Sequence, residues 1–121
     1  IPLKVSAPFH CEMMKPAADI MKEKIKSINF KKPTSEIICN VTSKPENDPE
    51  NIKKLLVEQI CSTVRWRESL INMHNEKIDN FIEIGPGKVL SGMVKRTLKN
   101  INIFSINSID DMKKVIYEFK K

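Results

Sequence analysis

Apolar positions along the chain recur in two rhythms, and the rhythm changes at each cluster of turn-forming residues. Leu3 to Ala7 reads as a short strand stopped by Pro8. Met14, Ala17, Ala18, Met21, Ile25 and Ile28 then fall on one helical face, with Pro16 tolerable in the first turn. Beyond the polar break Lys31 to Ser35, the run Ile37-Ile38-Cys39-Asn40-Val41 predicts a buried strand. Asp48-Pro49-Glu50 has the form of an N-cap followed by a first-turn proline, and Ile52, Leu55, Leu56 and Ile60 make the stripe of the helix it opens. Trp66, Leu70 and Ile71 mark a second, short helix. The stretch Asn80 to Leu90 reads strand, Gly-Pro-Gly turn, helix, with Val89, Leu90, Met93 and Val94 as the helical stripe. Ile101 to Ile106 predicts another strand, and Ile109, Met112, Val115, Ile116 and Phe119 a terminal amphipathic helix. Strands alternating with helices predict an α/β fold, a mostly parallel sheet flanked by helices. No internal repeat, low-complexity tract or linker interrupts the pattern.

Several polar residues stand out against that pattern. His10 follows the first strand at a strand-to-helix junction, a place from which an imidazole can accept and return a proton within one cycle. No G-x-S-x-G elbow occurs in the 121 residues, so acyl transfer needs a nucleophile from sequence outside this chain. Cys11 is adjacent to His10, but neighbouring side chains on an extended backbone diverge, which argues against a Cys-His pair. Gln59 lies seven residues after Ile52, on the buried side of its helix. An unpaired buried amide costs about 1–3 kcal/mol, so Gln59 is either satisfied by nearby backbone or meets something in a site. His74 reads as a capping or surface residue. Gly85-Pro86-Gly87 permits close strand-helix packing; the other reading is a helix N-terminus offered to an anion, with Lys88 adding charge, although neither a P-loop nor a dinucleotide fingerprint is present. Asn40-Val41-Thr42 matches a glycosylation sequon but is most simply a strand end.

Composition narrows the classes. With 40% hydrophobic and 30% charged residues, the chain can bury one modest core. The net charge of +6 favours acidic partners, yet its 18 lysines and 3 arginines are dispersed and not interleaved with stacking aromatics, which argues against nucleic acid. Cys11, Cys39 and Cys61 have neither disulfide nor zinc spacing, so a reducing compartment is expected, cytoplasm or a plastid or mitochondrial matrix, with no metal or redox cofactor. No run is long enough to span a bilayer and no signal-peptide pattern opens the chain. The start at Ile1-Pro2, close to a strand, reads as a cut through a folded region, and the chain as a C-terminal piece of a larger enzyme.

Three motifs in order carry a family resemblance: Val5-Ser6-Ala7-Pro8-Phe9-His10-Cys11 with Met14-Lys15-Pro16-Ala17-Ala18, then Val57-Glu58-Gln59 leading to Val64-Arg65-Trp66, then Glu83-Ile84-Gly85-Pro86-Gly87-Lys88-Val89-Leu90 with Lys95-Arg96. With these the chain resembles the C-terminal part of the malonyl-CoA:acyl-carrier-protein transacylases. The resemblance implies an α/β-hydrolase-like acyltransferase large subdomain, with residues 1–121 as the C-terminal part of the catalytic domain. The nucleophile elbow and a small ferredoxin-like subdomain are then expected outside the chain.

The resemblance also implies roles. His10 would be the general base and acid for a serine supplied elsewhere, and the backbone carbonyl of Gln59 would orient its ring. Phe9 would narrow the space for an α-methyl branch and favour malonyl over methylmalonyl. Malonyl-CoA and phosphopantetheinyl acyl carrier protein would be the substrates, in fatty-acid synthesis. Partners would be the carrier protein, the coenzyme A thioester and the rest of the parent chain, with no nucleic acid or membrane. Lys88, Lys95 and Arg96 are candidate contacts for such acidic partners. The chain alone is expected to be inactive. Two alternatives stay open: an acyltransferase of a polyketide synthase or a related serine hydrolase, and a non-catalytic basic module that binds a carrier protein.

Overall fold

The computed structural model describes residues 8–120. They fall into two compact units, one ending at Ser69 and one beginning at Leu70. The strand expected over Leu3 to Ala7 lies outside the described residues.

In the first unit a 3-10 turn, Glu12–Met14, leads into helix α1, Lys15–Lys26. Pro16 lies in the first turn of α1, where its missing N–H costs no hydrogen bond. Only Ala18 and Ile25 of the expected stripe are buried; Ala17, Met21 and Ile28 remain exposed. Helix α2, Pro49–Glu58, packs against α1 and buries Ile52 and Leu55. Asp48 opens α2 as the pattern predicts, its carboxylate accepting from the Asn51 amide at 2.9 Å.

The segment before α2 departs from expectation. In place of a buried strand over 37–41, β1 is Ile37–Ile38 alone, paired antiparallel with β2, Pro45–Glu46. The local reason is a tight reversal. Ser43 takes a positive φ of 55° and donates its amide to the Cys39 carbonyl at 2.8 Å, while the Cys39 amide reaches the Lys44 carbonyl. Asn40 is drawn off by other partners, described below, so the ladder cannot run through it.

Helix α3, Trp66–Asn75, carries Leu70, the most completely buried side chain among the described residues. Beyond it, β3 (Asn80–Ile84), α4 (Val89–Thr97) and β4 (Asn102–Ile106) form a βαβ unit, followed by α5, Ile109–Phe119. The strands are parallel, in register from Asn80 with Asn102 to Ile84 with Ile106. Each face receives one helix. Glu83 and Ser105 bond to α4 on one face, and Phe104 meets Phe119 of α5 on the other, their ring centres 5.3 Å apart. Val94, Leu98 and Val115 are buried, but Val89 and Leu90 are exposed, as are Ile109, Met112, Ile116 and Phe119. On β3, Ile82 and Ile84 are 43% and 79% exposed. The fold is therefore α/β, with a two-stranded parallel sheet and a separate short antiparallel pair among the described residues.

No helix among the described residues is long and apolar enough to cross a membrane.

Candidate active site

His10 stands in the turn between Pro8 and the Glu12–Met14 helix, with a left-handed φ of 57°. A non-glycine residue pays for that conformation with local strain, so its surroundings must hold it. Two local bonds frame the turn: the Cys11 thiol donates to the Pro8 carbonyl at 3.1 Å, and the Met14 amide to the Cys11 carbonyl at 2.9 Å. The thiol of Cys11 is thus turned to Pro8 and makes no pair with His10.

The imidazole itself is anchored across the first unit. Its Nδ1 lies 2.8 Å from the backbone carbonyl oxygen of Gln59. A carbonyl can only accept, so Nδ1 carries the proton and Nε2 keeps its lone pair. The ring is exposed, which leaves Nε2 open to a reacting group. This arrangement can take a proton from a hydroxyl and return it to a leaving group.

Gln59 is the residue just after the end of α2, where carbonyls run out of helical partners. Its amide still reaches the Leu55 carbonyl, and its own carbonyl meets the imidazole while also accepting a longer bond, 3.4 Å, from the Ser62 amide. Its half-buried side chain is satisfied as well, since Oε1 accepts from Asn40 Nδ2 at 2.9 Å. The backbone carbonyl of Asn40 in turn accepts from the Arg65 amide at 2.9 Å. Asn40, which the linear pattern marks only as a strand end or sequon, is thus engaged through both its side chain and its backbone. The available signal was a lone amide inside the apolar run 37–41.

Phe9 precedes the histidine and is 58% exposed. Lys88, Lys95 and Arg96 are also exposed, and none belongs to the unit that holds His10. His74 stands at the end of α3, half-buried, with Nδ1 2.9 Å from Asp79 Oδ1 but out of line for a hydrogen bond.

The Gly85-Pro86-Gly87 turn meets its own chain instead of an outside anion. Gly85 and Gly87 have φ of 134° and 95°, conformations that side chains rarely adopt. The amide of Gly87 donates to Asn107 Oδ1 at 2.8 Å. The amides of Leu90 and Ser91 at the start of α4 donate to the Glu83 carboxylate. A carboxylate from β3 therefore already fills the place where an anion would sit. Contact with the Ser91 side chain and the two amides holds the Glu83 carboxyl below the usual glutamate range.

No protein-family model matches the chain. Curated relatives do. The malonyl CoA-acyl carrier protein transacylase of Bacillus subtilis is 39% identical over 121 residues, covering 100% of this chain and 38% of its own length. That of Escherichia coli K12 is 37% identical over 107 residues, 88% of this chain and 35% of its own. Among solved structures, the acyl-carrier-protein-S-malonyltransferase of Bartonella henselae matches with a TM-score of 0.92 at 37% identity, over 98% of this chain and 38% of that one. A malonyl-transacylase solved in complex with its type II PKS acyl-carrier protein matches at 0.89 with 34% identity, again over 98% and 38%.

The similarity runs along the whole length of this chain but over little more than a third of each relative. The chain is similar to the malonyl CoA-acyl carrier protein transacylases, and it spans about 38% of the length of the curated relatives it matches.

Proposed function

We propose that this chain is the C-terminal, base-bearing part of a malonyl transacylase catalytic domain, which moves malonyl from malonyl-CoA to the pantetheine thiol of acyl carrier protein in fatty-acid synthesis. The observation that carries the reading is the bond between His10 Nδ1 and the Gln59 carbonyl, which leaves Nε2 unprotonated. A serine hydroxyl is a poor nucleophile until an aligned base removes its proton. In this reading the serine, its oxyanion donors and the group that binds the malonyl carboxylate come from the rest of the protein.

The steps follow from the tautomer. Nε2 takes the serine proton as the serine oxygen bonds to the thioester carbon. The tetrahedral intermediate collapses, the carbon–sulfur bond breaks, and the imidazolium returns its proton to the coenzyme A sulfur. The carrier thiol then attacks the malonyl-serine ester by the reverse sequence, with His10 again taking and returning one proton. A carbonyl partner fixes the ring without adding a negative charge beside it. Phe9, adjacent to the base, is read as limiting the space for an α-methyl branch.

The carrier protein as partner is supported by the solved complex of a similar malonyl-transacylase with its acyl-carrier protein. Because that carrier is a type II PKS protein, polyketide synthesis is the second reading. Comparing acceptor rates with fatty-acid and polyketide carriers separates the two.

The decisive test is intact mass after incubation with malonyl-CoA, on this chain and on a protein extended upstream through the expected serine elbow. The expected result is an adduct on the extended protein, slowed by His10→Ala and absent from the chain alone. An adduct on the chain alone assigns the nucleophile to a local group such as Cys11, and none on either removes the transacylase reading.

A further inference from the structure

We propose that Asn40 is a positioning residue for His10, acting through Gln59; the proposal rests on reading His10 as the base. Besides His10 at 2.8 Å, the Gln59 carbonyl meets only a long bond, 3.4 Å, from the Ser62 amide among the described residues. Gln59 follows the last residue of α2, and the chain from Ile60 to Val64 continues as turn and loop before α3 begins. At a helix end the regular ladder has stopped, so a carbonyl there is held less firmly than one inside the helix.

Asn40 grips both ends of that loop. Its side-chain Nδ2 donates to Gln59 Oε1 at 2.9 Å, and its backbone carbonyl accepts from the Arg65 amide at 2.9 Å. The side-chain bond is partly shielded from water, where a lost partner is more costly than on an open surface. Gln59 is thereby held by Leu55 at its amide, by Asn40 at its side chain and, at its carbonyl, by His10 and more weakly by the Ser62 amide at 3.4 Å. Of these contacts, Asn40 supplies the one to the Gln59 side chain, from a segment outside the helix, its own following turn and the turn that carries His10. Misalignment of a base by about 1 Å can cost on the order of a hundredfold in rate, so a residue that never touches substrate can still control turnover.

The two facing amides make the proposal testable with variants of matched shape. Asn40→Leu removes the donor. Asn40→Asp keeps a partner, since the Gln59 amide can rotate to donate its own N–H to the new carboxylate. Asn40→Asp combined with Gln59→Glu sets two carboxylates against each other and breaks the contact at neutral pH.

The experiment is ¹⁵N spectroscopy of the histidine rings in a full-length protein containing this chain, read beside the pre-steady-state acylation rate with malonyl-CoA. The His10 signals are assigned by their disappearance in His10→Gln, and the His74 signals serve as an internal control for folding. The expected result is His10 with its proton on Nδ1 in the unsubstituted protein, and a mixture of tautomers in Asn40→Leu with acylation slowed about tenfold to a hundredfold at unchanged KM. Asn40→Asp restores the Nδ1 tautomer and most of the rate. The double variant loses both at neutral pH. If Asn40→Leu also disturbs His74, the comparison of the single Asp variant with the double variant decides, and identical behaviour of those two at every pH overturns the proposal. A well-folded Asn40→Leu protein with unchanged tautomer and rate overturns it too. A proton on Nε2 in the unsubstituted protein instead removes the reading of His10 on which the proposal rests.

Discussion

The carboxylate of Glu83, on β3, accepts from the amides of Leu90 and Ser91 at 3.1 and 2.8 Å, so a strand residue closes the N-terminus of the helix that follows it. The start of an α-helix carries unpaired donors and a positive end of its dipole, and a carboxylate answers both. Lys88, the residue before α4, provides no side-chain cap of its own. Glu83 thus does from across the turn what an N-cap does locally.

Replacing Glu83 by Ala is therefore expected to lower the thermal midpoint of the chain by about 2–5 °C, and Glu83→Gln by less, because the amide oxygen still accepts. Circular dichroism melts of the three proteins check the order. An alanine variant as stable as the parent would remove the cap from the account.

Acid should weaken the fold in a defined window. Glu46 is held below the ordinary glutamate range by the Asp48 amide, the Asn51 side chain and the Asn47 amide; Asp111 is likewise lowered by the Ser108 hydroxyl and the Asn107 amide. Glu83 shifts in the same direction. A carboxyl lowered by folding contributes stability that is fully present above its unfolded value, about 4, and is lost as pH falls through the lower folded value. Urea midpoints should hold steady from neutral pH to about 5 and drop below about 4. In Glu83→Gln the drop should be shallower, and an unchanged slope would contradict the assignment.

Leu70 is fully buried, and truncation to alanine removes Cγ and both Cδ methyls, contact that a rigid surrounding cannot refill. Leu70→Ala is expected to cost about 2–5 kcal/mol in denaturant unfolding. A loss below about 1 kcal/mol would show that this part of the core collapses readily around the gap.

Phe9→Ala, in a full-length protein, should raise turnover of methylmalonyl-CoA relative to malonyl-CoA by roughly tenfold, the usual worth of one methyl group in a tight pocket. The readout is the ratio of kcat/KM for the two thioesters. A ratio that does not move assigns Phe9 to packing and leaves selectivity to other residues.

Much of the architecture was legible in the linear pattern because local physics decides it. Asp48-Pro49 opens α2, Pro16 sits in the first turn of α1, and the strand-turn-helix over 80–97 follows from two glycines between an alternating and a helical rhythm. These depend on backbone conformation and on neighbours within a turn, so sequence suffices. The resemblance likewise pointed to His10 and Gln59, although their roles await the acylation test.

Contacts between distant positions were decided only by tertiary structure. Periodicity shows which residues share a face, but burial needs something opposite, and Met21, Val89 and Ile116 remain exposed on faces that read as core. The strand expected over 37–41 shrank to Ile37–Ile38 because Asn40 is bonded to Gln59 and Arg65, 19 and 25 positions away. The Glu83 cap is equally invisible in the pattern, since its partners lie seven and eight residues on, across a turn whose geometry must form first. Sequence alone determined the helices and the strands β3 and β4 with their order, because each is built from neighbours. The approach of His10 to Gln59 across 49 positions and the hold of Asn40 on Gln59 exist only once the chain has closed on itself, because hydrogen bonds depend on distance in space.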